Sequence, residues 1–221
     1  NQEKASGFEM ENSSRFLSLD GTWRFHFVTD PRTRPQDFYK TDFNDRSSDW
    51  TDFKVPANWE VNGYAFPIYI NQHYDFVGRE KFGGTLIPPY DIPVDNNPVG
   101  SYRKEFELPA DWDGKQIFIH LGAVKSAFYI WINGQYVGYS EDSKLASEFD
   151  ITRYLKLGKS LLALQVYRWS DASYLECQDM FRLSGIERSV YLFAREKSTV
   201  WDFKTVAGLE NNYRDGSFDL K

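Results

Sequence analysis

An all-β fold, a jelly-roll β-sandwich, is the class this 221-residue sequence predicts, and three observations point to it. Strand-like runs are short and punctuated by turn residues, the pattern of stacked sheets rather than of β-α-β units. Aromatic residues reach 18%, with 7 Trp, 14 Tyr and 18 Phe, and flat rings suit pleated faces. The single cysteine, Cys177, excludes an internal disulfide framework, so an apolar core has to hold the fold. Jelly-roll topology suits a sandwich of this size.

Taken in order, residues 1–13 form a polar tail and residues 14–197 the sandwich. "LDGTWRFHFV" places Trp23, Phe25 and Phe27 on one face of a strand and Arg24 and His26 on the other. From Pro31 to Asn58 the chain is polar and turn-rich, which suggests a meandering edge segment. "PIYINQHYDF" then leads into "VGREKFGGTLIPPYDIPVDNNPVG", a Gly- and Pro-rich loop of a length more often functional than accidental. The clearest strands follow in "SYRKEFELP", "KQIFIHLGAV" and "SAFYIWINGQYVGYS", the last a hairpin turning at Asn133-Gly134. In that hairpin Phe128, Ile130 and Ile132 share one face, with Tyr129 and Trp131 on the other. "SEFDITRYLKLGKSLLALQVYRW" offers a helical turn, then a strand with Leu162, Leu164 and Val166 facing one way. "SVYLFARE" closes the sandwich near Lys197. The final run, "VWDFKTVAGLENNYRDGSFDLK", begins a strand pair and reads as the start of a further domain, residues 198–221.

Charge and composition exclude several function classes. Charged residues make up 26% and hydrophobic residues 41%, ordinary for a globular chain with a core. The net charge is −6 and the basic residues are scattered, so neither nucleic acid nor an anionic membrane is an expected partner. Three His and one Cys make a zinc cluster an unsuitable reading. No apolar run is long enough to span a bilayer. The polar start "NQEKASGFEMENSSR" lacks a signal peptide's apolar region, and cellular location stays open between cytoplasm and periplasm.

The residues that could carry chemistry gather in "RWSDASYLECQDMFRLSGIER", which is neither a clean strand nor a clean helix. It sets Asp171, Glu176, Asp179 and Glu187 against Arg168, Arg182 and Arg188, with Trp169, Tyr174, Met180 and Phe181 between them. Glycoside hydrolysis needs two carboxylates across a bond, and Glu141 with Asp142, or Glu176 with Asp179, could nominally serve. Acids so close in sequence usually cap turns or pair with arginine, so no catalytic dyad is expected within this chain. Cys177 reads as a small filler rather than a nucleophile, and His26 and His120 as structural residues within strands. Asp171 belongs to turn material, but Asp179 lies where no turn requires an acid. Two roles stay open for Asp179: an ion pair with Arg168 or Arg182, or a contact to sugar hydroxyls or a cation beside stacking aromatics.

At these residues the chain resembles a known family. "RWSDASYLECQDMFRLSGIERSVYL", "SAFYIWINGQYVGYSEDSKLASEFDIT", "VPANWEVNGYAFPIYIN" and "LDGTWRFHF" are similar to the N-terminal domain of glycoside hydrolase family 2, in its large β-galactosidase branch. The likeness runs from Phe16 to Leu220 with the motifs in family order. It implies a galactose-binding-domain-like jelly roll, then an immunoglobulin-like domain beginning at residues 198–221, then a TIM barrel carrying the two catalytic glutamates of a retaining enzyme. By that resemblance the catalytic glutamates and the active-site magnesium ligands lie outside this chain. Two residues carry over as substrate-binding: Asn71, which would hydrogen-bond galactose, and Asp179, which would contact a galactose hydroxyl and ligate a sodium ion. Both roles are chemically apt. An amide offers donors and an acceptor together, and a carboxylate can accept from a hydroxyl while meeting a hard cation. The irregular stretch would then leave the sandwich to meet the barrel, with Arg168, Arg182 and Glu187 as its scaffold. One departure is "QHYDFVGREKFGGTL", residues 72–86, which looks like an insertion beside Asn71 that would reshape the pocket mouth.

The resemblance also sets the expected partners: β-galactosides, the remainder of the same polypeptide, and further copies in a homo-oligomer. Two rival readings stand beside it. One is an autonomous galactoside-binding module without catalysis, which would need a pocket complete within one domain. The other is a structural domain that builds oligomer contacts.

Overall fold

The computed structural model describes residues 10–70, 92–156, 158–176 and 178–221. In chain order the strands begin with β1 (Phe16–Ser18), β2 (Gly21–Val28), β3 (Thr51–Val55), β4 (Ala57–Asn58) and β5 (Ile68–Ile70). The middle of the chain gives β6 (Val99–Glu107), β7 (Gln116–Leu121), β8 (Val124–Lys125), β9 (Ala127–Ile132), β10 (Gln135–Ser140), β11 (Ser147–Asp150) and β12 (Lys159–Tyr167). The last are β13 (Met180–Arg182), β14 (Gly185–Ile186), β15 (Val190–Arg195), β16 (Thr205–Glu210) and β17 (Asp215–Leu220). Among the described residues helix is confined to single turns, such as Ala172–Leu175.

A four-stranded sheet runs β1-β15-β7-β11 and a six-stranded sheet β10-β9-β12-β6-β2-β3, the all-β sandwich that the alternating runs predict. Period-2 alternation sends one face of each strand inward. On β12, Leu162, Leu164 and Val166 lie opposite Ile132, Ile130 and Phe128 of β9. Leu164 also faces Tyr102 of β6, and Tyr102 faces Phe25 of β2, so one apolar band crosses the sheet. Ile117, Ile119, Leu121, Val190, Leu192 and Ala194 of the other sheet join these residues in a single buried cluster. Each such aliphatic side chain contributes about 1.5–3 kcal/mol when fully buried, which is how the fold stands without cross-links.

Two places show sequence dictating local geometry closely. Asn133 (φ 51°) and Gly134 (φ 81°) form the two-residue turn of the β9–β10 hairpin, as the Asn-Gly pair predicts. Asn133 does more than turn: its amide donates to Tyr154 O at 2.9 Å and its carbonyl accepts from Leu161 N at 2.9 Å. At Gly100 a side chain has no room, since a Cβ would sit 2.6 Å from Trp59 Cζ2 and 2.7 Å from Phe25 Cε2. The fully buried Trp59 ring packs there against the β2–β6 seam.

The segment from Pro31 to Asn58 is more than an edge meander. Its β3 is the edge strand, but Phe38 and Trp50 also form a second apolar cluster with Ala163 on the outer face of the six-stranded sheet. Arg103, the cross-strand neighbour of Ala163, pins it by donating to Asp45 Oδ2 at 2.8 Å and Lys40 O at 2.9 Å. The final run pairs as the β16–β17 hairpin, closed by Lys204 N to Lys221 O at 2.8 Å. Two small ladders, β4-β14-β8 and β5-β13, belong to neither large sheet, and the second carries the candidate site.

Candidate functional site

The site is built on the shortest kind of ladder. β5 and β13 pair antiparallel with Ile68 opposite Arg182, Tyr69 opposite Phe181 and Ile70 opposite Met180. Asp179 directly precedes Met180, so it adjoins the Ile70–Met180 rung, and in sequence Asn71 follows Ile70. Asn71 itself, like the 72–86 segment, lies outside the described residues. Asp179 is exposed, and its Oδ1 accepts a hydrogen bond from the Tyr69 hydroxyl. That bond and the carboxylate's charge hold the Tyr69 phenol above its usual pKa, so Tyr69 stays a donor.

The open alternative for Asp179 finds no support in the geometry: among the described residues neither Arg168 nor Arg182 pairs with it. Arg182 Nη1 donates to Glu176 O at 3.3 Å, and Arg168 Nη2 donates to Phe66 O at 2.9 Å. Glu187 Oε1 accepts from Asn58 Nδ2 at 3.2 Å, while its other oxygen pairs with Lys144. These three residues are the scaffold expected of them. Lys125, buried in the same neighbourhood, has its pKa lowered by loss of hydration and then by the nearby Lys144 charge.

The other acids take bland roles. Glu176 accepts from Ser143 N at 2.8 Å and from the Ser143 hydroxyl, so it does not oppose Asp179 across a cleft. Asp142 caps the turn to Lys144 and Leu145 through contacts of 3.4 and 3.3 Å. Glu141 accepts from Tyr139 OH at 2.7 Å and shares a hydrogen bond with Asp171. The Tyr139 bond lowers the Glu141 pKa, but burial and the Asp171 carboxyl outweigh it and the net shift is upward. His120 Nδ1 lies 2.8 Å from Glu148 Oε1, and His26 packs on Trp50 with ring centres 5.4 Å apart, both structural placements. Cys177 lies outside the described residues. Among the described residues no three His, Cys, Asp or Glu gather to hold a metal, and no helix is long and apolar enough to cross a membrane.

Sequence reasoning missed Tyr69: it looks no further than Asn71 in "PIYIN", although Tyr69 opposes Phe181 across the ladder. The aromatic surroundings expected of Asp179 are seen in part, with Phe181 57% and Tyr69 54% exposed. The Tyr69 and Phe181 rings pack tilted against each other with centres 5.4 Å apart, next to the Tyr69–Asp179 hydrogen bond. Among the described residues the arrangement can accept from a hydroxyl and offer exposed rings to an apolar face.

Comparison with known proteins fits this picture. Residues 16–196 match the family described as "Glycosyl hydrolases family 2, sugar binding domain", and the chain belongs to that family. It is 41% identical over 218 residues to the beta-galactosidase of Priestia megaterium, covering 99% of this chain and 20% of that protein. It is 44% identical over 204 residues to the beta-galactosidase of Photobacterium profundum, covering 92% and 18%. The chain thus spans about a fifth of the length of these curated relatives. Among solved structures, a beta-glycosidase from Bacteroides vulgatus superposes with TM-score 0.63 at 22% identity, over 94% of this chain and 24% of that one. A beta-glucuronidase from Ruminococcus gnavus gives TM-score 0.63 at 20% identity, over 90% and 32%. At such identities the structures attest the fold.

Proposed function

We propose that this chain is the non-catalytic sugar-binding part of a longer β-galactosidase, in which it completes the galactose subsite. The observation that carries the reading is identity of 41% over 99% of the chain to a beta-galactosidase, with Asp179 presented on an exposed rung beside Tyr69. The glucuronidases resemble it only at the level of fold, with 20% identity for the Ruminococcus gnavus protein, which favours galactosides over glucuronides as substrate. In this reading Asp179 accepts from a galactose hydroxyl and Asn71 supplies a mixed donor and acceptor. The catalytic glutamates of the retaining reaction and the magnesium ligands belong to the barrel, and residues 198–221 begin the domain between. Homo-oligomerisation of the longer protein is part of the same proposal.

Sodium fits the donor chemistry of this site. Asp179 Oδ1 is taken by Tyr69, while Oδ2 makes no hydrogen bond among the described residues and is a hard oxygen suited to a hard cation. A bound sodium ion would supply positive charge near the sugar, with its remaining ligands coming from the barrel. The test is a substrate panel on the longer protein. An aryl β-D-galactoside should be cleaved much faster than the matching glucuronide, and the reverse order overturns the reading. A second experiment separates the autonomous binding module. The 221-residue chain, titrated with galactose in sodium, should show no saturable binding up to roughly tens of millimolar, because in this reading the barrel supplies the rest of the pocket. Millimolar binding abolished by Asp179→Asn would establish the module instead.

A further inference from the structure

We propose that a buried Glu60–Arg168 pair is the positioning device of the sugar site, fixing the β5–β13 ladder to the sandwich so that Asp179 is held in one place. The inference rests on the sugar-contact reading of Asp179 given above. The ladder needs such a device, since each strand has only three residues and a two-stranded ribbon is marginally stable by itself. Arg168 follows the end of β12, where its backbone N–H donates to Pro98 O at 2.9 Å. Trp169 is tied beside it by paired bonds with Asn97, at 2.9 and 3.0 Å, and the guanidinium lies 4.9 Å from the Trp169 ring centre. The root of this side chain is therefore part of the sandwich.

Its tip reaches both strands of the ladder. Arg168 Nη2 donates to Phe66 O, two residues before β5, at 2.9 Å, and to Arg182 O, the last residue of β13, at 3.5 Å. Glu60 completes the clamp from the other side. Its Oε2 accepts from Ser184 N at 2.8 Å, while Oε1, which makes no hydrogen bond, lies 3.7 Å from Arg168 Nη2. Both side chains are buried, at 0% and 6% exposure, so removing either would leave the other's charge less well compensated. Both carbonyls are met by the one terminal nitrogen Nη2, at the end of the long, rigid guanidinium arm, and a lysine offers a shorter, flexible point charge instead. The clamp grips the Ile68–Arg182 end of the ladder, and Asp179 stands just beyond the Ile70–Met180 end. A small tilt at the clamp thus displaces the carboxylate, and displacements near 1 Å cost on the order of 100-fold in rate.

The experiment is a double-mutant cycle in the longer protein, combining Arg168→Lys with Asp179→Asn and reading kcat/KM for an aryl β-galactoside alongside thermal stability. Arg168→Lys should lower kcat/KM by on the order of 10-fold, and in the Asp179→Asn background it should cause little further loss. Independent, additive losses, or full activity in Arg168→Lys, would overturn the proposal, because a merely structural role gives no coupling to Asp179. Glu60→Gln, which keeps an acceptor for Ser184 N, repeats the cycle should Arg168→Lys fail to fold. An Asp179→Asn protein with undiminished activity would instead strike at the sugar-contact reading itself, so the two failures are distinct.

Discussion

Tyr102 shows how much a single atom can decide. Its hydroxyl is fully buried and accepts the indole N–H of Trp59, itself fully buried between Phe25 and the β4–β14 ladder. Burial disfavours the phenolate and lifts the Tyr102 pKa far above the ordinary phenol range, so the group is a neutral hydroxyl at every working pH. Tyr102→Phe removes that hydroxyl and takes away the acceptor of the buried Trp59 indole N–H. It should cost about 1–3 kcal/mol in urea denaturation, and an unchanged midpoint and slope would show that another acceptor takes over. Residue roles were unevenly legible. Asp179 stood out as an acid where no turn needs one, but its partner Tyr69 looked like one more aromatic on an alternating run. Nothing local in "PIYIN" says which residue will oppose "CQDMF", because the pairing spans 110 residues of chain.

At the scale of elements, the long strands were readable and the short ones were not. β9 and β12 announce themselves through alternation, since every second side chain must enter the core. β4, β5, β8, β13 and β14 have two or three residues each, too few for any period, and exist because distant segments pair with them. The turn-rich stretch before β3 likewise conceals Phe38 and Trp50, whose burial depends on an outer sheet face that no local pattern reveals. The β10 edge carries a further testable element. Glu141, just past β10, has a raised pKa beside Asp171, so the folded state prefers its protonated form. The stability this confers is present below the ordinary value of 4.5 and is lost as pH rises through the higher folded value. Glu141→Gln keeps an acceptor for Tyr139 and removes the charge. Its melting temperature should exceed wild type near neutral pH and converge with it below the 4.5 of a free glutamate. A lower melting temperature at neutral pH would show that the ionised Glu141 is worth more through Tyr139 than it costs beside Asp171.

For the whole molecule, fold class and strand faces followed from the chain itself, whereas the extent of the pocket did not. A sandwich can be read from patterns in one sequence. The site proposed above cannot be read that way, because in that proposal part of its chemistry belongs to another domain. The described surface is consistent with such sharing: Phe66, Tyr69, Leu175 and Phe181 are exposed, and Tyr69 meets Asp179, on a chain about a fifth as long as its relatives. The measurement that tests the central claim most directly is kcat/KM of the longer protein and its Asp179→Asn variant on an aryl β-galactoside, with and without sodium. Loss of a hydrogen-bonded charged contact, about 1.5–3 kcal/mol, predicts a fall on the order of 10- to 100-fold and a weakened sodium response. An Asp179→Asn protein matching wild type in both would contradict the account.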